Sequence, residues 1–470
     1  MVSPYCSQPT FHNVNNNMLG IAFSGGGITA AISAACTWHT LVDIYPNLNL
    51  STSSSTEIVI STVSGGTIGY AISNNDKDKI QYTKYKKDLM LEDLLYLTSS
   101  SVEAVDKGEE VDKMRSIGQI VEHLSSMSFL KQYILGPQGQ GILQSHSLHW
   151  WTWLIDCIFD SITIDEIDTG STSWISSFAY MISDEKNILS RLDGKGYLSP
   201  SSARQIKSVL VNMTHDGSIT VLDDHGQPPS PTFSNKTIPT LDALSFSSSF
   251  WSAIIVSNRF AYALLKDMLI TRKRSLFEQQ SEESSCSSTP VEKEKSSVVI
   301  LDGGVVDTTG IVGLLHKQAD NMIIFYNNNI PLSQLQSPIS YLFGVETSTD
   351  SLNSLKGPAL SQIFPTHLYP QVFANLTDRN NGVALLNNIK ILPNKLGVQP
   401  YIVKSIVIFS NGHNIDFSFD DERIMNNLSS DWPDRYSFFP PKLDANLLCS
   451  FSDWKVRRYR EFLDPLLFMM

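Results

Sequence analysis

Ser64 stands between an apolar run, Ile58-Val59-Ile60-Ser61-Thr62-Val63, and Gly65-Gly66-Thr67, which leads into Ile68-Gly69-Tyr70-Ala71. A serine on a sharp strand-to-helix bend has its hydroxyl lifted out of the sheet, where it can act as a nucleophile. A second turn of the same kind lies earlier. Met18-Leu19-Gly20-Ile21-Ala22-Phe23 runs into Ser24-Gly25-Gly26-Gly27 and then the small-residue stretch Ala30-Ala31-Ile32-Ser33-Ala34-Ala35. Backbone N–H groups at such a helix start form a ready site for an anion. The third segment, Ser296-Ser297-Val298-Val299-Ile300-Leu301, ends in Asp302-Gly303-Gly304. A carboxylate followed by two glycines can lean over neighbouring turns without steric hindrance. A serine, an anion hole and a carboxylate together are the equipment for acyl transfer.

These segments imply the elements that carry them. Each turn follows a short apolar run of the kind that forms a buried strand, and the first two precede a helix start. The run after Asp302 continues as a helix from Gly310-Ile311-Val312-Gly313-Leu314-Leu315 and a strand from Asn321-Met322-Ile323-Ile324-Phe325-Tyr326. Alternating strands and helices predict an α/β fold with a mostly parallel central sheet flanked by helices. In such sheets ligands sit at the carboxyl ends of the strands. If the strands are all parallel, Ser64, Asp302 and the Gly25–Gly27 loop share one edge.

Other readings of the same residues exist. Gly25, Gly27 and Ala30 also satisfy the spacing of a dinucleotide-binding turn, a weak signal by itself. That fold wants an acidic residue at the end of the second strand, where this chain has Ser61-Thr62-Val63-Ser64. A lone Ser-Gly-Gly or Asp-Gly-Gly is commonly just a turn. Three of them, each after a strand-like run, make a site the stronger reading.

The order of these segments resembles the patatin-like and cytosolic phospholipase A2 family of Ser-Asp dyad acyl hydrolases. The matching residues are Ser24-Gly25-Gly26-Gly27, Thr62-Val63-Ser64-Gly65-Gly66 and Asp302-Gly303-Gly304, over roughly residues 18–75 and 297–330. The resemblance implies a lipid acyl hydrolase of the phospholipase A or lysophospholipase kind. Ser64 would be its nucleophile and Asp302 the direct base. The amides of Gly25, Gly26, Gly27 and Gly65 are the candidate oxyanion hole, with Gly26 and Gly27 the principal donors. No metal or organic cofactor is implied. Two positions depart from the family pattern. Thr29 stands where the family carries an arginine, which removes a cation suited to a phosphate headgroup. Thr62 stands where the elbow has glycine, and its β-branched side chain crowds the bend. Those departures motivate two alternatives: a non-catalytic lipid- or protein-binding member of the same fold, and an esterase acting on small or neutral esters. None of the ten histidines lies in a segment resembling a nucleophile's partner; His413, after the run Ile402–Phe409, is the spare candidate for a triad.

Composition frames the site. The 470 residues are read as a single α/β domain, 1–470, with a disordered loop over 274–297, and the family resemblance implies that the helical patterns over 76–240 form a cap or lid insertion. That loop is polar, serine-rich and charged, including Glu292-Lys293-Glu294-Lys295, and buries too little to order itself. Within the cap, His149-Trp150-Trp151-Thr152-Trp153 is strongly aromatic. Trp150, Trp151 and Trp153, together with Thr29, are the candidate substrate-binding residues, since tryptophan favours a lipid–water boundary. The alternative is a helix buried in the cap's own core. A serine-rich turn at Phe246-Ser247-Ser248-Ser249-Phe250-Trp251 is placed at the border of the site.

A net charge of −12 argues against nucleic acid and against strong attraction to anionic lipid surfaces. The start, Met-Val-Ser-Pro-Tyr-Cys, lacks the basic and apolar regions of a secretory signal. No apolar run approaches the ~18 residues of a membrane span. Five scattered cysteines predict free thiols in a reducing compartment. The expectation is a cytoplasmic protein, peripheral on membranes, that meets a lipid or membrane-surface substrate; the oligomeric state is left open. The end of the chain, Trp454–Arg460 followed by Leu463–Met470, is basic and then apolar. It reads as a terminal helix packed on the sheet, or alternatively as one lying on a membrane surface.

Overall fold

The computed structural model of the chain describes residues 18–48, 56–73, 173–183, 207–213, 219–221, 246–247, 252, 271–273, 297–327, 338–345, 362–378, 382–394, 396–409 and 451–468. The apolar runs become strands and the turns after them become helix starts. In chain order the elements are β1 (Met18–Phe23), α1 (Gly27–Ile44), β2 (Glu57–Val63), α2 (Gly65–Ser73), β3 (Ser173–Ser183), β4 (Lys207–Met213) and β5 (Ile219–Val221). Then come β6 (Thr271–Lys273), β7 (Ser297–Asp302), α3 (Ile311–His316), β8 (Asn321–Phe325) and α4 (Pro338–Leu342). The chain closes with α5 (Tyr369–Thr377), β9 (Val383–Lys390), β10 (Ile402–Phe409) and α6 (Arg460–Leu467).

The strands form one sheet in the order β5-β4-β3-β2-β1-β8-β10-β9, with β6 and β7 off this path. Its centre, β3-β2-β1-β8-β10, is parallel throughout. Antiparallel strands complete the two flanks. This is the α/β class expected from the sequence. Parallel strands are covered on both faces, which explains why all six residues of β1 are buried, as are all of β2 except Glu57.

Helices α1 and α2 cover one face, where the Phe23 ring meets Trp38 and Tyr70. Helix α3 covers the other: a Cβ on Gly20 would lie 2.7 Å from the Leu314 side chain. Across the carboxyl ends of the parallel strands runs an aromatic ladder. Phe23 stacks on Phe325 at 5.6 Å and Phe325 on Phe409 at 5.0 Å, while Tyr70 bridges from Phe23 to Trp174. Such rings each bury about 150–250 Å² and dominate core energetics.

Strand β3 shapes the site. One of its edges pairs with β4. The other is divided: Ser173–Ser177 pair in parallel with β2, and Phe178–Ser183 pair antiparallel with β7. The condition that all these strands be parallel is therefore not met by β7, and Ser64 and Asp302 come together all the same. Strand β7 enters from the opposite direction and occupies the part of the β3 edge that β2 vacates when it turns into the elbow. The two strands meet end to end.

The described part of 76–240 consists of strands, and β3 lies inside the sheet. That portion is sheet rather than helical cap. Trp150, Trp151, Trp153 and the rest of the expected cap lie outside the described residues, as do His413 and most of the 274–297 loop. The terminal segment packs on the sheet, with the Tyr459 ring 6.2 Å from Phe409 of β10, as the first reading of its sequence expects, and it also contacts α1. Thr40 donates to Asp453, Arg457 pairs with Asp43, and the Tyr45 hydroxyl donates to Asp464. No helix among the described residues is long and apolar enough to cross a membrane. Cys36, buried on α1, is disulfide-bonded. Chain spacing carries no information on which cysteines meet in space, so the expectation of free thiols fails for this one.

Candidate active site

Ser64 is the single residue between β2 and α2, and its φ is 52°. A serine in the left-handed region is strained, and such strain persists only where the surroundings over-determine it. Here the surroundings are backbone. A Cβ on Gly65 would sit 1.9 Å from the Gly27 carbonyl, and one on Gly66 would sit 2.5 Å from that of Phe23. Only glycine lets α2 start this close to α1, and that closeness forces the bend at Ser64.

The Ser64 hydroxyl donates to Asp302 Oδ2 at 2.7 Å, across 238 residues of sequence. Both residues are buried, Ser64 at 8% exposure and Asp302 at 3%. The other carboxylate oxygen, Oδ1, accepts from the Gly304 amide at 2.7 Å, which fixes the carboxylate plane. Gly303 passes against β3 so closely that a Cβ would lie 2.2 Å from the Ser177 carbonyl. The Asp-Gly-Gly sequence thus serves two contacts, one at each glycine.

The glycine loop begins with Ser24, whose amide donates to the Phe325 carbonyl and whose hydroxyl accepts from the Asn327 amide at 2.6 Å. Gly26 and Gly27 have φ values of 150° and 70°, conformations that glycine adopts without penalty. Among the four expected oxyanion donors, the Gly25 amide is occupied. It donates to the Thr308 carbonyl at 2.8 Å, which ties the loop to the turn after Asp302. The Gly26, Gly27 and Gly65 amides lie at the N-termini of α1 and α2, where N–H groups have no partner within the helix. Thr29 follows in the first turn of α1; its side chain lies outside the described ones.

The turn gripping Gly25 is itself braced. Asp307 is buried and takes the Thr309 amide and hydroxyl on Oδ1 and the Val312 amide on Oδ2. Burial pushes its carboxyl above the usual range, while the hydrogen bonds from Thr309 and Val312 pull the other way. Asp307 caps the start of α3. It is a second carboxylate close to Asp302 in sequence, but its oxygens are committed to Thr309 and to the first turn of α3.

Beneath the elbow lies a polar cluster that sequence reasoning leaves largely unread. Thr62 Oγ1 accepts from the Trp174 indole at 2.8 Å and from Thr67 Oγ1 at 3.0 Å. Thr67 also contacts the hydroxyls of Ser176 and Ser247 at 3.1 and 2.9 Å. Ser247 accepts from the Ser64 amide at 3.0 Å and donates to the Ser177 carbonyl at 3.0 Å. The expectation that Thr62 crowds the bend is corrected: its branched side chain turns into this cluster and braces α2, and the elbow keeps its shape. Of the serine-rich segment the described residues Phe246-Ser247 are helical, and they border the site through Ser247. No signal in the sequence singles out Ser247 among its serine neighbours.

No family model matches the chain, and no curated protein matches it in sequence. Its fold is similar to that of a solved structure described as human GIVD cytosolic phospholipase A2, with a TM-score of 0.52 at 12% sequence identity. The similarity covers 96% of this chain and 62% of that one, so this chain spans less than two thirds of that neighbour. The chain therefore has a fold of the cytosolic phospholipase A2 type.

Proposed function

We propose that this chain is a serine acyl hydrolase that cleaves lipid carboxylic esters through a Ser64–Asp302 dyad. The observation that carries the reading is the 2.7 Å hydrogen bond from Ser64 Oγ to Asp302 Oδ2 at a strained elbow. A hydroxyl becomes an effective nucleophile when a base within hydrogen-bond reach takes its proton. Asp302 is that base. Ser64 Oγ forms a bond to the ester carbonyl carbon as its proton passes to Asp302. The carbonyl oxygen takes up the negative charge and is held by the Gly26 and Gly27 amides. Collapse breaks the bond to the leaving alkoxide, which takes the proton from Asp302 and departs as the alcohol. Water then attacks the acyl-serine, giving its proton to Asp302. The second collapse releases the acid, and the proton returns to Ser64.

The lipid nature of the substrate is supported by the fold's similarity to a cytosolic phospholipase A2. Removing one oxyanion donor from such a site costs about 2.7–4 kcal/mol of transition-state stabilisation.

The test is covalent labelling with a fluorophosphonate, combined with hydrolysis of a short and a long acyl ester. Wild type should label on the peptide that carries Ser64 and turn over the long ester, and Ser64→Ala should do neither while keeping its fold by circular dichroism. Labelling retained in Ser64→Ala would move the nucleophile elsewhere. A folded wild type that neither labels nor hydrolyses either ester would favour the non-catalytic, lipid-binding reading.

A further inference from the structure

We propose that Ser247 is a positioning residue for the nucleophile, and that Phe246-Ser247 sets Ser64 against Asp302. The proposal rests on the reading of Ser64 as nucleophile. Its basis is that one buried hydroxyl touches three elements at the point where the dyad assembles. Ser247 is 0% exposed and takes the Ser64 amide at 3.0 Å. It gives its proton to the Ser177 carbonyl on β3 at 3.0 Å and lies 2.9 Å from Thr67 Oγ1 on α2.

Those contacts converge on the division in the β3 edge. Ser177 pairs with Val63, the last residue before the nucleophile, and Phe178 pairs with Asp302. The neighbouring Phe246 ring packs edge-on against Phe178, with centroids 5.3 Å apart. Ser247 therefore holds the nucleophile's backbone while Phe246 covers the residue opposite the base. No backbone ladder joins β2 to β7 across that junction, because the two strands meet end to end. Side-chain contacts from 246–247 bridge it instead.

The chemistry calls for a hydroxyl. At this position the group must accept from an N–H and donate to a C=O at once, which one hydroxyl does and a methyl cannot. Alanine would leave a buried amide and a buried carbonyl unsatisfied. The elbow would then relax away from its strained φ, and Ser64 Oγ would leave its alignment with Asp302. Misplacement of about 1 Å in a reacting group costs on the order of a hundredfold in rate.

The experiment compares the full-length chain with Ser247→Ala, Ser247→Thr and Ser252→Ala. Ser252 is a buried serine of the same segment whose hydroxyl has no hydrogen-bond partner among the described residues, so its loss controls for simple destabilisation. Fluorophosphonate labelling rate, kcat and KM on one ester, and amide hydrogen exchange of the peptide containing Ser64 are measured for each. Expected in Ser247→Ala are a labelling rate and kcat lower by about a hundredfold, a KM unchanged within about twofold, and faster exchange at Ser64. Ser247→Thr should recover most of the rate, and Ser252→Ala should behave as wild type. Wild-type kinetics in Ser247→Ala would overturn the proposal, as would equal losses in Ser247→Ala and Ser252→Ala. If the wild type does not label at all, the hydrolase reading falls. Exchange at Ser64 then decides on its own: acceleration in Ser247→Ala keeps Ser247 as the clamp of the elbow, and unchanged exchange removes it.

Discussion

Ser64 and Asp302 approach each other from opposite directions along one edge of β3, at the ends of strands that face Ser177 and Phe178. The hydroxyl-to-carboxylate contact of 2.7 Å is thus a product of strand termination. Where β2 bends into its helix, the edge of β3 is open, and β7 fills it with a carboxylate as its last residue. The geometry leaves no intervening group in that hydrogen bond.

Asp302→Asn keeps the shape of the side chain and removes its capacity to take a proton. Hydrolysis should fall by orders of magnitude with little change in stability, as base removal does in other serine hydrolases. Steady-state kinetics on one ester checks this against His413→Ala, which should retain wild-type turnover. Equal damage from both substitutions would replace the dyad with a triad.

Ser64 also sets a stability test. Both Ser64→Ala and Ser64→Gly remove the hydroxyl, but only glycine relieves a φ of 52°. Ser64→Gly should therefore be more stable than Ser64→Ala by about 1 kcal/mol, reversing the usual order of these residues. Urea unfolding midpoints of the two inactive variants read the difference, and an alanine variant equal to or better than glycine would show that the elbow carries no strain.

Lys455 offers a pH-dependent prediction. It is 1% exposed, with its ammonium over the rings of Phe325 and Phe451 at 5.7 and 5.4 Å. Burial lowers its pKa from 10.5 to about 7. Below pH 7 the lysine is protonated in both folded and unfolded chains, and the folded state bears the net cost of holding the ammonium buried. As pH rises from about 7 towards 10.5 the unfolded chain binds more protons than the folded one, so this contribution to stability increases and the cost disappears. Lys455→Met should raise stability most below pH 7, by on the order of 1–3 kcal/mol, with the gain shrinking towards pH 10. Denaturant titrations at pH 6 and pH 9.5 test it; a gain independent of pH would show that the charge is not the source.

Thr29 bears on headgroup choice. A neutral hydroxyl there cannot make the charge-assisted, bidentate contact that an arginine makes with phosphate. The preference for a phospholipid over a neutral glyceride of equal chain length should be modest, and Thr29→Arg should increase it. Comparison of kcat/KM in matched micelles checks this. A strong phospholipid preference in wild type, unchanged by Thr29→Arg, would place headgroup recognition elsewhere, with Lys266 and Arg272 the next cations to vary.

Much of this arrangement is local and is therefore written in the sequence. Met18–Phe23, Glu57–Val63, Ser297–Asp302, Asn321–Phe325 and Ile402–Phe409 are short apolar runs bounded by turn residues, and they become strands that are buried over most of their length. The glycines after them mark where α1 and α2 begin, because only glycine tolerates the φ values and backbone contacts found there. Ser64 and Asp302 stand out on those grounds alone. What the tertiary structure decided is the relation between segments far apart in the chain. Ser173–Ser183 carries polar residues on both faces and shows no clean alternation, yet it is the strand that brings the dyad together. The antiparallel entry of β7, the capture of the Gly25 amide by Thr308 and the choice of Ser247 among its serine neighbours all depend on partners more than 60 residues away. A residue's own sequence neighbourhood encodes how it is buried and how the chain turns; it does not encode which distant hydrogen-bonding group will be waiting there.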